Sequence, residues 1–269
     1  RVQQTRVAPR RSQLTPRLGC FTTMILDATK TLVLLLPLLA ATAPTNALAP
    51  DRGSLVSGGW TIRWTPKGAT ATQTAGSKTV VLYENHTSTS TSPGAFETPA
   101  TSSTLCYMMS VVDTVVSYRC SRTGEGGMHP TAYYSISAVD LAHGGAPADI
   151  RSLFDEPSLI RWLLEDRCVS SQYPRDIGVP ATLDELVENL KSYCIANFNG
   201  LPTSFAVVAA GPSTAVVTFG LPHATETCRG QYTQITLLLP IPARRQSVFD
   251  AAVKKGSLLV QFQHLPPAP

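Results

Sequence analysis

The sequence predicts an α+β fold: a β-meander through the first half, central helices, then antiparallel strands with one further helix. Three observations carry this expectation. Period-two and β-branched runs occupy residues 60–83 and 105–139, three- and four-residue apolar spacings take over from 149 to about 198, and β-branched runs return after 204. Strands, then helices, then strands again is not the regular alternation of a parallel α/β fold.

The first element to set aside lies before the fold. From Met24, Lys30 precedes the apolar run Leu32–Ala41, and the stretch ends Ala47-Leu48-Ala49. This is the order of a cleavable secretory signal over residues 24–49, which predicts an exported domain over 50–269. The ten apolar residues of that run, interrupted by Pro37, are half of the roughly 20 that a membrane-spanning helix needs. Signal cleavage is therefore preferred to a retained anchor, and no stable membrane span is expected. Residues 1–23 hold five arginines and no acid, and read as untranslated sequence or an extended n-region. They are excluded from the fold.

This exclusion reverses the charge. The whole chain has 22 basic and 18 acidic residues, but six of the former and one of the latter precede Pro50. The 16 basic and 17 acidic residues that remain give a net charge near −1. Without a basic field, nucleic acid is excluded as a partner. A 43% hydrophobic fraction with 15% charged residues is enough for a packed core and excludes disorder throughout.

Within 50–269, Trp60-Thr61-Ile62-Arg63-Trp64 alternates and Lys78–Tyr83 is β-branched and aromatic, so both read as strands. Trp60, Ile62 and Trp64 share a face, either as core or as an aromatic platform for sugar, with core preferred. Thr87–Thr104, in which eleven of eighteen residues are Ser or Thr, reads as a loop open to O-linked sugar. Asn85-His86-Thr87 at its head is an N-glycosylation sequon on Asn85. Leu105–Arg119 and Ala132–Val139 read as further strands, with a polar break over 124–130.

Asp149–Arg167 reads as helical, with Pro157 opening a second helix. A further helix is expected over Leu183–Phe198 behind the capping box Thr182 and Glu185, with Gly200 as its stop. Ser204–Ala209 and Thr214–Phe219 form a hairpin across Gly211-Pro212-Ser213, and Tyr232–Leu239 is another strand. Ala243–Lys254 is a helix with Val248, Phe249, Ala252 and Val253 inward, ended by Gly256. Leu258–Phe262 is a last strand.

Five of the six cysteines follow the signal, in an oxidising compartment. A hairpin centred on Asp113 places Cys106 opposite Cys120, which makes them the first expected disulfide. Cys168 with Cys194 is the second, although other connectivities stay open. Cys228 is then the odd thiol, open to a bond with a second chain.

The chemistry-bearing groups are sparse. His223, Glu226 and Cys228 have the right ligand types for zinc, but their spacing matches no zinc signature, so no metal or cofactor is assigned. The same residues could serve a thiol nucleophile, a weaker reading still. Asp140 to Gly145 includes His143-Gly144-Gly145, which would resemble a hydrolase oxyanion turn but lacks a G-x-S-x-G nucleophile elbow. The acid pairs Asp155-Glu156 and Glu165-Asp166 read as solvated helix surface rather than glycosidic acid and base. The preferred reading is a secreted, disulfide-containing binding or structural surface protein with an extracellular ligand or protein partner of unknown identity. The alternative is a secreted hydrolase whose histidine-based site is assembled by folding. An enzyme predicts a deep pocket of converging histidines and acids; a binding module predicts a shallow, aromatic-bearing surface.

Overall fold

A computed structural model of the chain describes residues 52–90, 100–125, 131–174, 176–190, 198–222 and 232–259. The fold is dominated by antiparallel sheets with few helices, so the α+β expectation holds in its coarse form. The signal segment, Cys194 and the 223–228 cluster lie outside the described residues.

The first half is two sheets rather than one meander. Strands β1 (Gly53–Ser57), β2 (Trp60–Thr65), β3 (Gly68–Gln73) and β4 (Thr79–Glu84) form the first, in sequence order. Its opening hairpin turns through Gly58 and Gly59 at φ of 54° and 78°, a left-handed backbone that side-chain-bearing residues avoid. Strands β5 (His86–Ser90), β6 (Ala100–Val112), β7 (Val115–Glu125), β8 (Thr131–Asp140) and the short β9 (Ala146–Pro147) form the second. The Ser/Thr-rich segment expected as a loop is therefore strand on both sides, with His86–Ser90 paired to Ala100–Thr104 and 91–99 outside the described residues. Hydroxyl pairs support this edge: Ser88 and Ser102 meet at 2.9 Å, Ser103 and Thr123 at 2.7 Å. Thr has strand propensity, and an edge added to an already buried sheet needs little apolar surface of its own.

The chain passes from the first sheet to the second at Asn85, which substitutes for a strand partner. Its Oδ1 accepts from the Cys106 N–H at 2.6 Å, and its Nδ2 donates to the carbonyls of Cys106 at 3.1 Å and Pro66 at 3.0 Å. Both backbone groups of Cys106 are thus satisfied where the ladder changes hands.

The first sheet packs on one face of the second through Trp60, Ile62, Trp64, Met108, Val111 and Val116. A third sheet, β10 (Phe205–Ala210), β11 (Thr214–Pro222) and β12 (Tyr232–Pro240), covers the other face through Met109, Ile136, Ala206 and Val208. A register shift between Met108 and Ser110 marks a bulge in β6. Double burial explains why Leu105–Val112 reads as a nearly continuous apolar run.

The far face of the third sheet carries Phe205, Val217, Phe219, Ile235 and Leu237 into the main core, under α1 (Glu156–Glu165), α2 (Arg167–Gln172), α3 (Leu183–Asn189) and α4 (Gln246–Lys254). The helices are shorter than expected. Ile150–Ser152 is a 3₁₀ turn, α3 ends at Asn189 because Leu190 is already extended, and Phe198–Gly200 is another 3₁₀ turn. The Thr182 and Glu185 box forms: the Glu185 N–H donates to Thr182 Oγ1 at 3.1 Å, while the Glu185 carboxylate reaches one residue beyond the cap, to the Ala181 N–H. In α4, Phe249 and Ala252 point inward but Val253 does not, being 49% exposed. After Gly256 closes that helix, Leu258 makes a single bridge to Ser110. None of the described helices is long and apolar enough to cross a membrane.

Candidate binding groove

The groove follows from register. Viewed from the first-sheet side, the second sheet presents three rows of paired residues: His86, Thr104 and Arg122; then Cys106, Cys120 and Ser135; then Met108, Tyr118 and Ser137. The first sheet covers Met108 and what lies beyond it and reaches over Cys106, which is 5% exposed, but leaves the rest of the earlier rows open. An open groove of about 530 Å³ remains there, walled by Leu82, Tyr83 and Glu84 at the end of β4.

Its floor contains the disulfide. Cys106 and Cys120 are directly opposed in the ladder with Cα atoms 4.0 Å apart, as the Asp113-centred hairpin predicts. Asp113 itself turns with φ of 55°, within a two-residue loop joining Val112 to Val115. Beside the disulfide, the rings of Tyr83 and Tyr118 lie 5.3 Å apart in a tilted pair. Burial pushes the Tyr83 phenol up to about 12, against a hydrogen bond with the Met108 backbone. Burial also raises Tyr118, opposed by its hydrogen bond with Ser137. On the opposite face of β7, buried Arg119 lies 5.0 Å from the Tyr134 ring centre and hydrogen-bonds Tyr107.

The groove's ionisable side chains outside the tyrosines are Glu84, His86 and Arg122, all exposed. Among the described residues, none of the three is hydrogen-bonded or ion-paired through its side chain. Other charged residues here have structural work. Arg151 bridges Asp149, Glu156 and Asp184, and Glu156 also accepts from the Leu183 N–H at 2.7 Å. Arg244 pairs with Asp155 at 2.6 Å, and Asp166 caps α2 by accepting from the Cys168 and Val169 N–H groups. Of the acid pairs expected as solvated surface, Glu156 is thus a clamp and Asp166 a cap, while Asp155 pairs with Arg244 at the surface and Glu165 is exposed.

Of the expected site residues, His223, Glu226 and Cys228 lie outside the described residues, and only His143 can be placed. His143 is 77% exposed, with Nδ1 2.6 Å from Asp140 Oδ2. Asp140 Oδ1 accepts from Thr114 Oγ1 at 2.7 Å and from the Ala142 N–H at 2.9 Å. Burial works against the Asp140 charge, but the bonds from Thr114, His143 and Ala142 outweigh it and hold the carboxyl below its usual range. Gly144 and Gly145 have φ of 76° and 84°, but their N–H groups donate to Leu141 O at 3.1 Å and Asp140 O at 2.8 Å. With both donors occupied, the turn presents no oxyanion hole. Trp60 and Trp64, 5% and 6% exposed, are core rather than a sugar platform. Cys168 is buried, with its expected partner outside the described residues. Among the described residues, no group of three or more His, Cys, Asp or Glu side chains is placed to hold a metal ion.

Sequence reasoning missed Glu84, His86 and Arg122. His86 reads only as the middle of a sequon, and Arg122 falls between the strand expected to end at Arg119 and the polar break over 124–130. The one available signal was period two from Cys120 to Arg122, which puts the guanidinium on the disulfide's face. No protein-family model, curated protein or solved structure matches the chain.

Proposed function

We propose that the chain is an exported binding protein that holds a hydroxyl-rich ligand, a glycan, along the open face of its second sheet. The observation that carries this reading is the groove itself: unpaired polar side chains and tyrosines line a rigid sheet floor. An open trough suits an extended chain passing through, where a small-molecule site would be enclosed. Ser135, Ser137, Thr104 and the Tyr118 phenol supply hydroxyls that both donate and accept, which matches sugar hydroxyls.

Glu84 and His86 in one groove favour the hydrolase alternative to a degree. No carboxylate is hydrogen-bonded to His86 among the described residues, however, so binding is preferred. Glycan-array binding by the chain from Pro50 tests the reading. Hits abolished by Ser135→Trp, whose indole fills the groove, support it, provided thermal unfolding of the variant matches wild type. An array without hits, or hits indifferent to Ser135→Trp, overturns it. Export itself is tested by sequencing the N-terminus of the secreted product, expected at Pro50. A bond through Cys228 predicts a dimer on a non-reducing gel.

A further inference from the structure

Resting on the groove reading, we propose that the bound glycan carries a uronate, its carboxylate held between Arg122 and His86. The two side chains flank Thr104 in one cross-strand row and face the same side. Two strand spacings separate their Cα atoms by roughly 10 Å, which leaves room for a carboxylate between the two side-chain ends. Arg122 presents a guanidinium fork that matches a carboxylate's two oxygens, and His86 adds a ring N–H in either tautomer. The Thr104 hydroxyl lies between them.

Glu84 sets the limit on charge. An acid at the wall of the same groove accepts from sugar hydroxyls and repels a second anionic group close by. The net charge near −1 beyond residue 49 supplies no general attraction for polyanions. One carboxylate per ring among hydroxyls fits these constraints; a densely sulfated chain does not. The Ser135 hydroxyl and the Tyr118–Ser137 pair, one and two rows further on at roughly 7 Å per row, meet the neighbouring sugar.

Calorimetric titration with a short oligogalacturonide and with its full methyl ester is the test, at about 0.1 M salt where distant charges are screened. The acid is expected to bind about tenfold more tightly than the ester, the scale of one charge-assisted contact. Arg122→Gln should bring the acid down to the ester's affinity. Equal wild-type affinities, or an acid preference that survives Arg122→Gln, overturn the uronate assignment. If both oligomers then lose binding in Ser135→Trp, the groove reading survives that failure. Binding of neither oligomer overturns the assignment alone when the array shows other glycans bound, and both readings when it shows none.

Discussion

The two ends of the second sheet are built from the same three strands and do opposite things. Toward the β6–β7 turn, Met108, Val111 and Val116 are 1% exposed or less beneath Trp60, Ile62 and Trp64. Four residues back from Met108 along β6, past the disulfide, Thr104 and Arg122 line open space, as does Ser135 in the disulfide's own row. The difference lies in what covers the strands: the first sheet ends at Glu84, and the chain is pulled across at Asn85. A sheet covered over only part of its length has a packed end and an open end, and it is the open end to which the proposed binding is assigned.

The sharpest way to break this comparison is by stability. Trp64→Ala empties a site that is 6% exposed and should cost about 3–5 kcal/mol in urea unfolding, read as a midpoint shifted to lower urea. Thr104→Ala, in the groove, should fall within about 0.5 kcal/mol of wild type. Similar costs at the two positions would mean that the groove end is packed as well.

The disulfide marks the boundary. Closing a loop over a sequence separation of 14 stabilises by about 3 kcal/mol in the chain-entropy model, so the double variant Cys106→Ala, Cys120→Ala should lose roughly that amount. A loss below about 1 kcal/mol would show that the hairpin turn and flanking pairs already constrain the unfolded chain.

Asn85 separates a structural role from a modification. Asn85→Ala leaves the Cys106 N–H and carbonyl without their partner and should cost about 1–3 kcal/mol. Thr87→Ala removes the sequon but none of these bonds, and its unfolding midpoint should stay with wild type. A glycan on Nδ2 replaces one of the two hydrogens that Asn85 donates to Pro66 and Cys106, so glycosylation and the latch compete for the same atom. If Thr87→Ala, expressed in a glycosylating host, destabilises as much as Asn85→Ala, the sugar rather than the latch is what matters there.

These positions also show what the sequence made legible. Local patterns were readable: the Trp60–Trp64 alternation, the Asp113 hairpin with Cys106 opposite Cys120, the Thr182 cap and the β10–β11 hairpin. Each is determined by neighbours within about 15 residues. Strands β1 and β3 were not, since Ala69-Thr70-Ala71-Thr72 buries only alanines and lacks the large β-branched signal. Nor was β5, whose hydroxyls pair across the ladder instead of burying apolar surface. The groove escaped for a different reason. Glu84, His86 and Arg122 are assembled by the crossover at Asn85 and by where the first sheet stops, which are tertiary facts. His143 stood out instead because its neighbours in sequence looked chemical, and its turn proves to be closed on itself.

That turn gives the smallest effect, one of pH. Asp140 is held below the usual carboxylate range, so in the unfolded chain it binds a proton more readily than in the folded one. Its contribution is fully present above the unfolded carboxylate pKa and is lost as pH falls through the lowered folded value. The partners are Thr114, His143 and the Ala142 N–H, so the anchor joins the β6–β7 turn to the end of β8. Asp140→Asn should flatten the acid limb of a stability-against-pH curve while leaving glycan binding at neutral pH unchanged, because the turn lies at the packed end, away from the groove. His143→Ala should flatten it less, since the Thr114 and Ala142 bonds remain. An acid limb unaltered by Asp140→Asn would place the stabilising carboxylates elsewhere.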